Sequence, residues 1–170
     1  MNRNILEDNF DIQMKETVQM PSYHHQEKVN VSIENLWTFV SDMNNWAPLV
    51  PGYIDHQIIN EKESTWAFKT DVGIMKKKIE LKVDITHWNE PSKVTFNLTG
   101  LNEKFTGEGF FSAVIRSSDS ILMTGFLEIN ADGMMAKMAN NILKSSLPEI
   151  TTELTKAVAR KAEELNAYHR

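Results

Sequence analysis

The sequence predicts an α+β domain in which a curved antiparallel sheet of about seven strands wraps around one long C-terminal helix. Three observations predict it. From Tyr53 to about Asn130, apolar and polar residues alternate with a period of two, in segments separated by short polar or glycine breaks, as in consecutive strands joined by tight turns. From Met134 to Ala167 the period changes. Met135, Met138, Ala139, Ile142, Leu147, Ile150, Leu154, Ala157, Val158, Ala162 and Leu165 recur at the three- and four-residue steps of a single helix face. A stripe of that length needs a curved sheet to cover it, and a sheet wrapped around a helix leaves room between the layers for an apolar guest. With 170 residues and 41% hydrophobic content, the chain can bury one full core without metals or crosslinks.

Residues 1–21 mix polar and apolar types up to Pro21 and are expected to form an N-terminal arm, an extra strand or a mobile tail, followed by one domain over 22–170. A strand over Tyr23–Val31 comes first. Ser32 then offers an N-cap to a short helix carrying Ile33, Leu36, Trp37, Phe39 and Val40 at helical spacing. Asp42 to Asn45 break that helix, a second short helical turn covers Trp46–Leu49, and Pro51-Gly52 ends it. Strands follow over Tyr53–Asn60 and Ser64–Val72, the second with Trp66, Phe68 and Thr70 on one face. In Lys78–Trp88, Ile79, Leu81, Val83, Ile85 and His87 alternate with Glu80, Lys82, Asp84 and Thr86, which predicts one wet and one buried face. Val94, Phe96 and Leu98 define the next strand up to Gly100. Phe105–Arg116 contains Gly107 and Gly109, where a strand bends, bulges or is closely approached. Ile121–Ala131 completes the sheet, Gly133 opens the terminal helix, and Pro148 is expected to divide and bend that helix.

Composition excludes several functions. The net charge is −5 and the pI about 5.5, with no basic face of the kind a phosphate backbone requires, so no nucleic-acid partner is expected. Lys76, Lys77, Lys78 and Lys82 form the one basic run, readable as a solvated strand end or as a contact with an anionic membrane. The absence of cysteine removes disulfides, thiolate metal sites and cysteine nucleophiles, and suits a reducing cytoplasm. The N-terminus lacks the features of a signal peptide, and no window approaches the length of a membrane span, so any membrane contact is expected to be peripheral, at the inner face. The sequons at Asn30 and Asn97 read as chance matches within strand regions.

The order of elements, with Leu36-Trp37 on the first helix, Asp42 after it, Pro51-Gly52 before the second strand, Val72-Gly73 at a hairpin, Gly107 and Gly109, and Gly133 before an Ala/Met-rich helix start, resembles the helix-grip superfamily. That superfamily includes START and polyketide cyclase-like proteins. Within it the chain is most similar to the CoxG-like family, the accessory proteins of carbon monoxide dehydrogenase, over about Tyr23–Leu165. Val50 stands where that family often has a cysteine. The resemblance implies a hydrophobic cavity between sheet and helix that carries a lipid, quinone or similar molecule. It also implies an accessory role beside a molybdenum hydroxylase, with an oxidoreductase as protein partner. Some members of the superfamily are cyclases, hydratases or aromatases, so an enzyme acting on an aromatic or polyketide substrate is the alternative.

The residues favour a binding protein. His24, His25, His56, His87 and His169 lack partners at metal-ligand spacing, and no nucleophile elbow, phosphate loop or dinucleotide fingerprint occurs, so no catalysis, metal or cofactor is expected. The expected ligand-binding set comes from four places. Trp66, Phe68, Ile79, Leu81, Val83, Phe96, Phe111 and Met123 come from the sheet; Met135, Met138, Ala139 and Ile142 come from the first four turns of the helix, where methionine suits a flexible guest. His87 continues the Ile79–Ile85 face, either as a satisfied core or rim histidine or as a polar contact for a head group. Trp46, Val50 and Pro51 sit with Leu49 on the short-helix segment, either as a lid over the mouth able to touch a bilayer or as packing under a loop. Ile150, Leu154, Val158 and Leu165 are expected to anchor the second half of the helix.

Overall fold

A computed structural model describes residues 20–72 and 75–168, so the expected arm lies outside the described residues except for Met20 and Pro21. Among the described residues the chain runs through β1 (Ser22–Val29), α1 (Ile33–Val40), α2 (Met43–Trp46) with a 3-10 turn over Ala47–Leu49, β2 (Tyr53–Ile58), β3 (Glu63–Val72), β4 (Met75–Asn89), β5 (Lys93–Gly100), β6 (Phe105–Ser117), β7 (Ser120–Ala131) and α3 (Ala136–Tyr168). Each strand from β2 to β6 pairs antiparallel with the next, and β1 closes onto β7, giving the spatial order β1-β7-β6-β5-β4-β3-β2. The sheet, the two short helices after the first strand and the long terminal helix are those read from the sequence.

Local chemistry sets the joints. Ser32 caps α1 by accepting from the Asn35 amide at 3.2 Å, and Asp42 caps α2 by accepting from the Asn44 amide at 2.9 Å. The second short helix therefore starts three residues earlier than the sequence suggests, because the Asp42 carboxylate supplies an N-cap where the polar run reads as a break. At the head of α3, Asn140 grips the end of β7: its Oδ1 accepts from Ala131 N at 2.9 Å and its Nδ2 donates to Ala131 O. The helix continues past Pro148 to Tyr168 as one element.

The inner face of the sheet is built in rows of paired residues. Trp66 lies opposite Leu81, Val83 opposite Leu98, Ile85 opposite Phe96, and Ala113 opposite Met123. Helix α3 crosses this face chiefly over β1 and β7, where Leu147, Leu154, Val158, Ala159 and Ala162 are buried. Its approach is closest at Gly125, where an added methyl group would overlap Thr155 Oγ1. The Thr155 hydroxyl is already donated to Thr151 O at 2.7 Å, so it cannot swing aside without losing that bond. Gly125→Ala is therefore expected to lift the helix from β7 and cost about 1–3 kcal/mol, read as a fall in the urea midpoint with an unchanged denaturant slope.

Two expectations about faces are corrected. A bulge between Ile85 and His87 in the β4–β5 ladder adds one residue and reverses the alternation beyond it. His87 is consequently exposed, and Trp88 turns to the core side, edge-on to Trp37 at 6.2 Å. Leu165, expected to anchor the end of α3, is 39% exposed, and the burial of the helix face ends at Ala162.

Candidate functional site

The space between sheet and helix is filled at its centre, and the first turns of α3 are only partly covered. Trp46 occupies the centre at 1% exposure, with ring centroids 5.2 Å from Trp66, 5.5 Å from Phe96 and 5.3 Å from Phe111. Its indole N–H donates to Val40 O at 3.0 Å, so a large aromatic is buried without leaving a polar atom unpaired. Trp46 is thus no exposed lid. The capped turn of α2 aims it inward, a direction that the spacing of Trp46, Leu49 and Val50 does not reveal; Leu49, Val50 and Pro51 are half-buried beside it.

Leu81, Val83 and Met123 are buried with Trp66, Phe96 and Phe111, as expected of the inner face. Phe68 and Ile79 face each other across β3 and β4, nearer the sheet end from which β2 and α3 depart, and are half-buried. At that same end the start of α3 is barely covered. Ala139 and Ile142 are half-buried, whereas Met135 and Met138 remain 61% and 47% exposed. Met135 lies in the turn ahead of α3 rather than on the helix. The apolar stripe expected from the sequence is present along the helix, but its first turns are not buried by protein.

Several groups that position this site carry no signal in the sequence. Ser64 is fully buried; its Oγ accepts from the Trp66 indole at 2.8 Å and donates to Met43 Sδ at 3.2 Å, tying α2 to β3. His56 joins α2 to the edge strand: with Nε2–H donated to Asn44 Oδ1 at 2.7 Å, its Nδ1 accepts from the Tyr53 hydroxyl at 2.6 Å. Local periodicity is silent on both sets, since each links residues from different elements. His25 pairs with Glu27 at 2.7 Å on β1, His24 lies exposed beside Tyr23, and His169 lies outside the described residues. Among the described residues, no three histidine or acidic side chains gather as a metal site, and no helix is long and apolar enough to cross a membrane.

A seven-stranded antiparallel sheet gripping one long helix, with a short two-helix segment thrust between them, is the architecture of the START and polyketide cyclase-like proteins. The chain superposes on a conserved protein from Geobacillus kaustophilus with a TM-score of 0.71 at 13% identity, covering 84% of this chain and 95% of that one. The Zhui aromatase/cyclase from Streptomyces sp. R1128 gives a TM-score of 0.67 at 12% identity over 86% and 95% of the two chains. A START superfamily protein from Mycobacterium smegmatis gives 0.64 at 17% identity over 85% and 98%. No curated protein matches the sequence significantly. A protein-family model matches residues 20–164, and the chain belongs to the family that this model describes; its fold is that of the START and polyketide cyclase-like proteins.

Proposed function

We propose that the protein binds and carries a hydrophobic small molecule, a lipid, quinone or similar compound, between its sheet and α3, without catalysing a reaction on it. The observation that supports this is the uneven burial of the helix. One apolar stripe runs along α3 and is mostly buried from Leu147 to Ala162, whereas Ala139 and Ile142 are only half-buried and Met138 and the neighbouring Met135 stand exposed. Leaving apolar surface in water forgoes about 25 cal/mol per Å², and an apolar guest lying over Ala139 and Ile142 would recover it. Deeper entry requires Trp46 to withdraw with the segment that carries it. That segment is held by the bonds of Trp46 to Val40, Met43 to Ser64 and Asn45 to Phe39, by the Asn44–His56–Tyr53 chain and by the packing of Trp46 on three aromatic rings, all of which such a movement would have to break.

The expected result of extracting natively purified protein with organic solvent is a lipid or quinone in stoichiometric amount by mass spectrometry. Ile142→Asp, which places a carboxylate on the proposed contact face, should lower the recovered amount about tenfold or more. Protein that arrives empty and turns over an aromatic polyketide would replace this reading with the cyclase alternative. The resemblance to the CoxG-like family extends the proposal to an accessory role beside a molybdenum hydroxylase, with peripheral contact to the inner membrane face through the end of the sheet where α3 starts. Lys76, Lys77, Lys78 and Lys104 are exposed toward that end of the sheet, Lys77 paired with Glu103 and Lys78 with Glu80, and Leu101 and Met134 are exposed as well, a mixture suited to an anionic lipid surface. Co-purification with such an oxidoreductase is the observation that would carry the extension.

A further inference from the structure

At the end of the sheet opposite the exposed methionines, a separate cleft of about 320 Å³ opens between α1 and the β2–β3 turn. Its walls are two tryptophans and its rim is acidic. Trp37 comes from α1 and Trp88 from the end of β4, where the bulge after Ile85 turns it to this side. The rings meet edge-on at 87°, with both residues half-buried, so each keeps part of its surface in the cleft. Asp42 lies on one side and Glu61 on the other, and Ile58, 39% exposed, adds apolar surface.

The backbone that carries the acidic rim is tied down. Asp42 commits Oδ1 to the cap of α2, which holds the carboxylate in place while its second oxygen is not used by the cap. Glu61 sits at the tip of a tied turn: Asn60 Oδ1 accepts from the amides of Lys62 and Glu63, both at 2.9 Å, and the amides of Ile59 and Asn60 donate to Glu63 O. Lys62 follows Glu61 in the turn, and Lys82 is engaged away from the cleft, with its Nζ 3.1 Å from Glu63 and 3.3 Å from Asp84. Anions are disfavoured by two carboxylates. A bare metal ion is disfavoured too, because no third acidic or histidine ligand joins Asp42 and Glu61 among the described residues. What remains complementary to two indole rings and two carboxylates is a weakly hydrated cation with alkyl substituents, drawn to the aromatic lining and to the negative rim together.

We propose that this cleft binds a small organic cation, a quaternary or alkylated ammonium group, with Trp37 and Trp88 against its alkyl surface and Asp42 and Glu61 balancing its charge. The volume is at the lower end of the range for small-ligand pockets, about 300–1,000 Å³, and suits a head group better than a long molecule. This cleft lies apart from the space between sheet and α3, although Asp42 and Met43 belong to the short-helix segment that carries Trp46.

Choline is a suitable probe, and 3,3-dimethylbutan-1-ol, its uncharged carbon analogue, is the control. Calorimetric titration of the full chain, checked by tryptophan fluorescence, should give saturable choline binding and about tenfold weaker binding of the alcohol. Glu61→Gln and Asp42→Asn should each weaken choline about two- to fivefold; both residues are exposed, and asparagine preserves the cap, so both variants retain the fold. Trp88→Leu and Trp37→Leu, accepted only if their circular dichroism is native, should weaken it further. Sedimentation with phosphatidylcholine vesicles distinguishes the source of the cation: retention that free choline reverses assigns the cleft to lipid head groups, and no retention assigns it to a free solute. Equal affinity for choline and the alcohol, or unchanged choline affinity in the two acidic-residue variants, would overturn the proposal.

Discussion

Replacing Trp46 with alanine is expected to lower folding stability by about 3–5 kcal/mol, the usual cost of emptying a buried aromatic site. Three aromatic partners at 5.2–5.5 Å lose their contact, and Val40 O loses its donor. The same substitution should do something that an ordinary core truncation does not. If Trp46 occupies space meant for a guest, the variant should bind an apolar fluorophore such as N-phenyl-1-naphthylamine at least several-fold more tightly than the parent protein. Trp46→Phe, retaining a ring but not the indole N–H, should fall between the two in both stability and affinity. A variant that is destabilised by the expected amount yet binds the fluorophore no better would mean that Trp46 is core and nothing more.

Gly52→Ala is the second large effect expected, about 2–4 kcal/mol from two additive causes. Gly52 has φ of +79°, in the left-handed region where an L-residue is strained, and an added methyl would also overlap the Lys69 carbonyl oxygen. Tyr53 N donates to Val50 O at 3.0 Å across Pro51-Gly52, the arrangement of a type II turn with proline at its second and glycine at its third position. Gly52 O in turn accepts from Lys69 N at 2.7 Å, so relieving the overlap breaks the first bond between β2 and β3. Amide hydrogen exchange should accelerate along β2 before the rest of the sheet, and the urea midpoint should fall. Unchanged exchange in β2 would show that the turn tolerates a side chain.

The architecture is legible because its signals are local. The alternation of Ile79, Leu81, Val83 and Ile85 marks a half-buried strand, and the stripe from Ile142 to Ala162 marks a helix lying on it, without any knowledge of partners. Legibility ends where one residue changes the phase. The bulge beyond Ile85 comes from mismatched pairing between two strands, so periodicity within β4 carries His87 inward and leaves Trp88 outside, the reverse of their true positions. Trp37, on a helix with apolar neighbours, does pack against the core, but its ring also reaches the cleft wall, which the spacing does not reveal. The inner-face aromatics are identified correctly by their alternation. What fills the space between them is not, since the direction of Trp46 depends on a capped four-residue helix and a single bond to Val40.

The pairing of β1 with β7 has a consequence for how the chain is made. Ser22 meets Glu128 and Val29 meets Ile121, so the first strand has no neighbour until the last has been synthesised. During translation the hairpins from β2 to β6 can zip one onto the next as they emerge, while β1 waits as an unpaired edge. Helix α3, which packs on that late pair, can dock only afterwards. The ribosome must therefore release nearly the whole domain before the core closes, and a nascent chain stalled within β7 should remain protease-sensitive throughout.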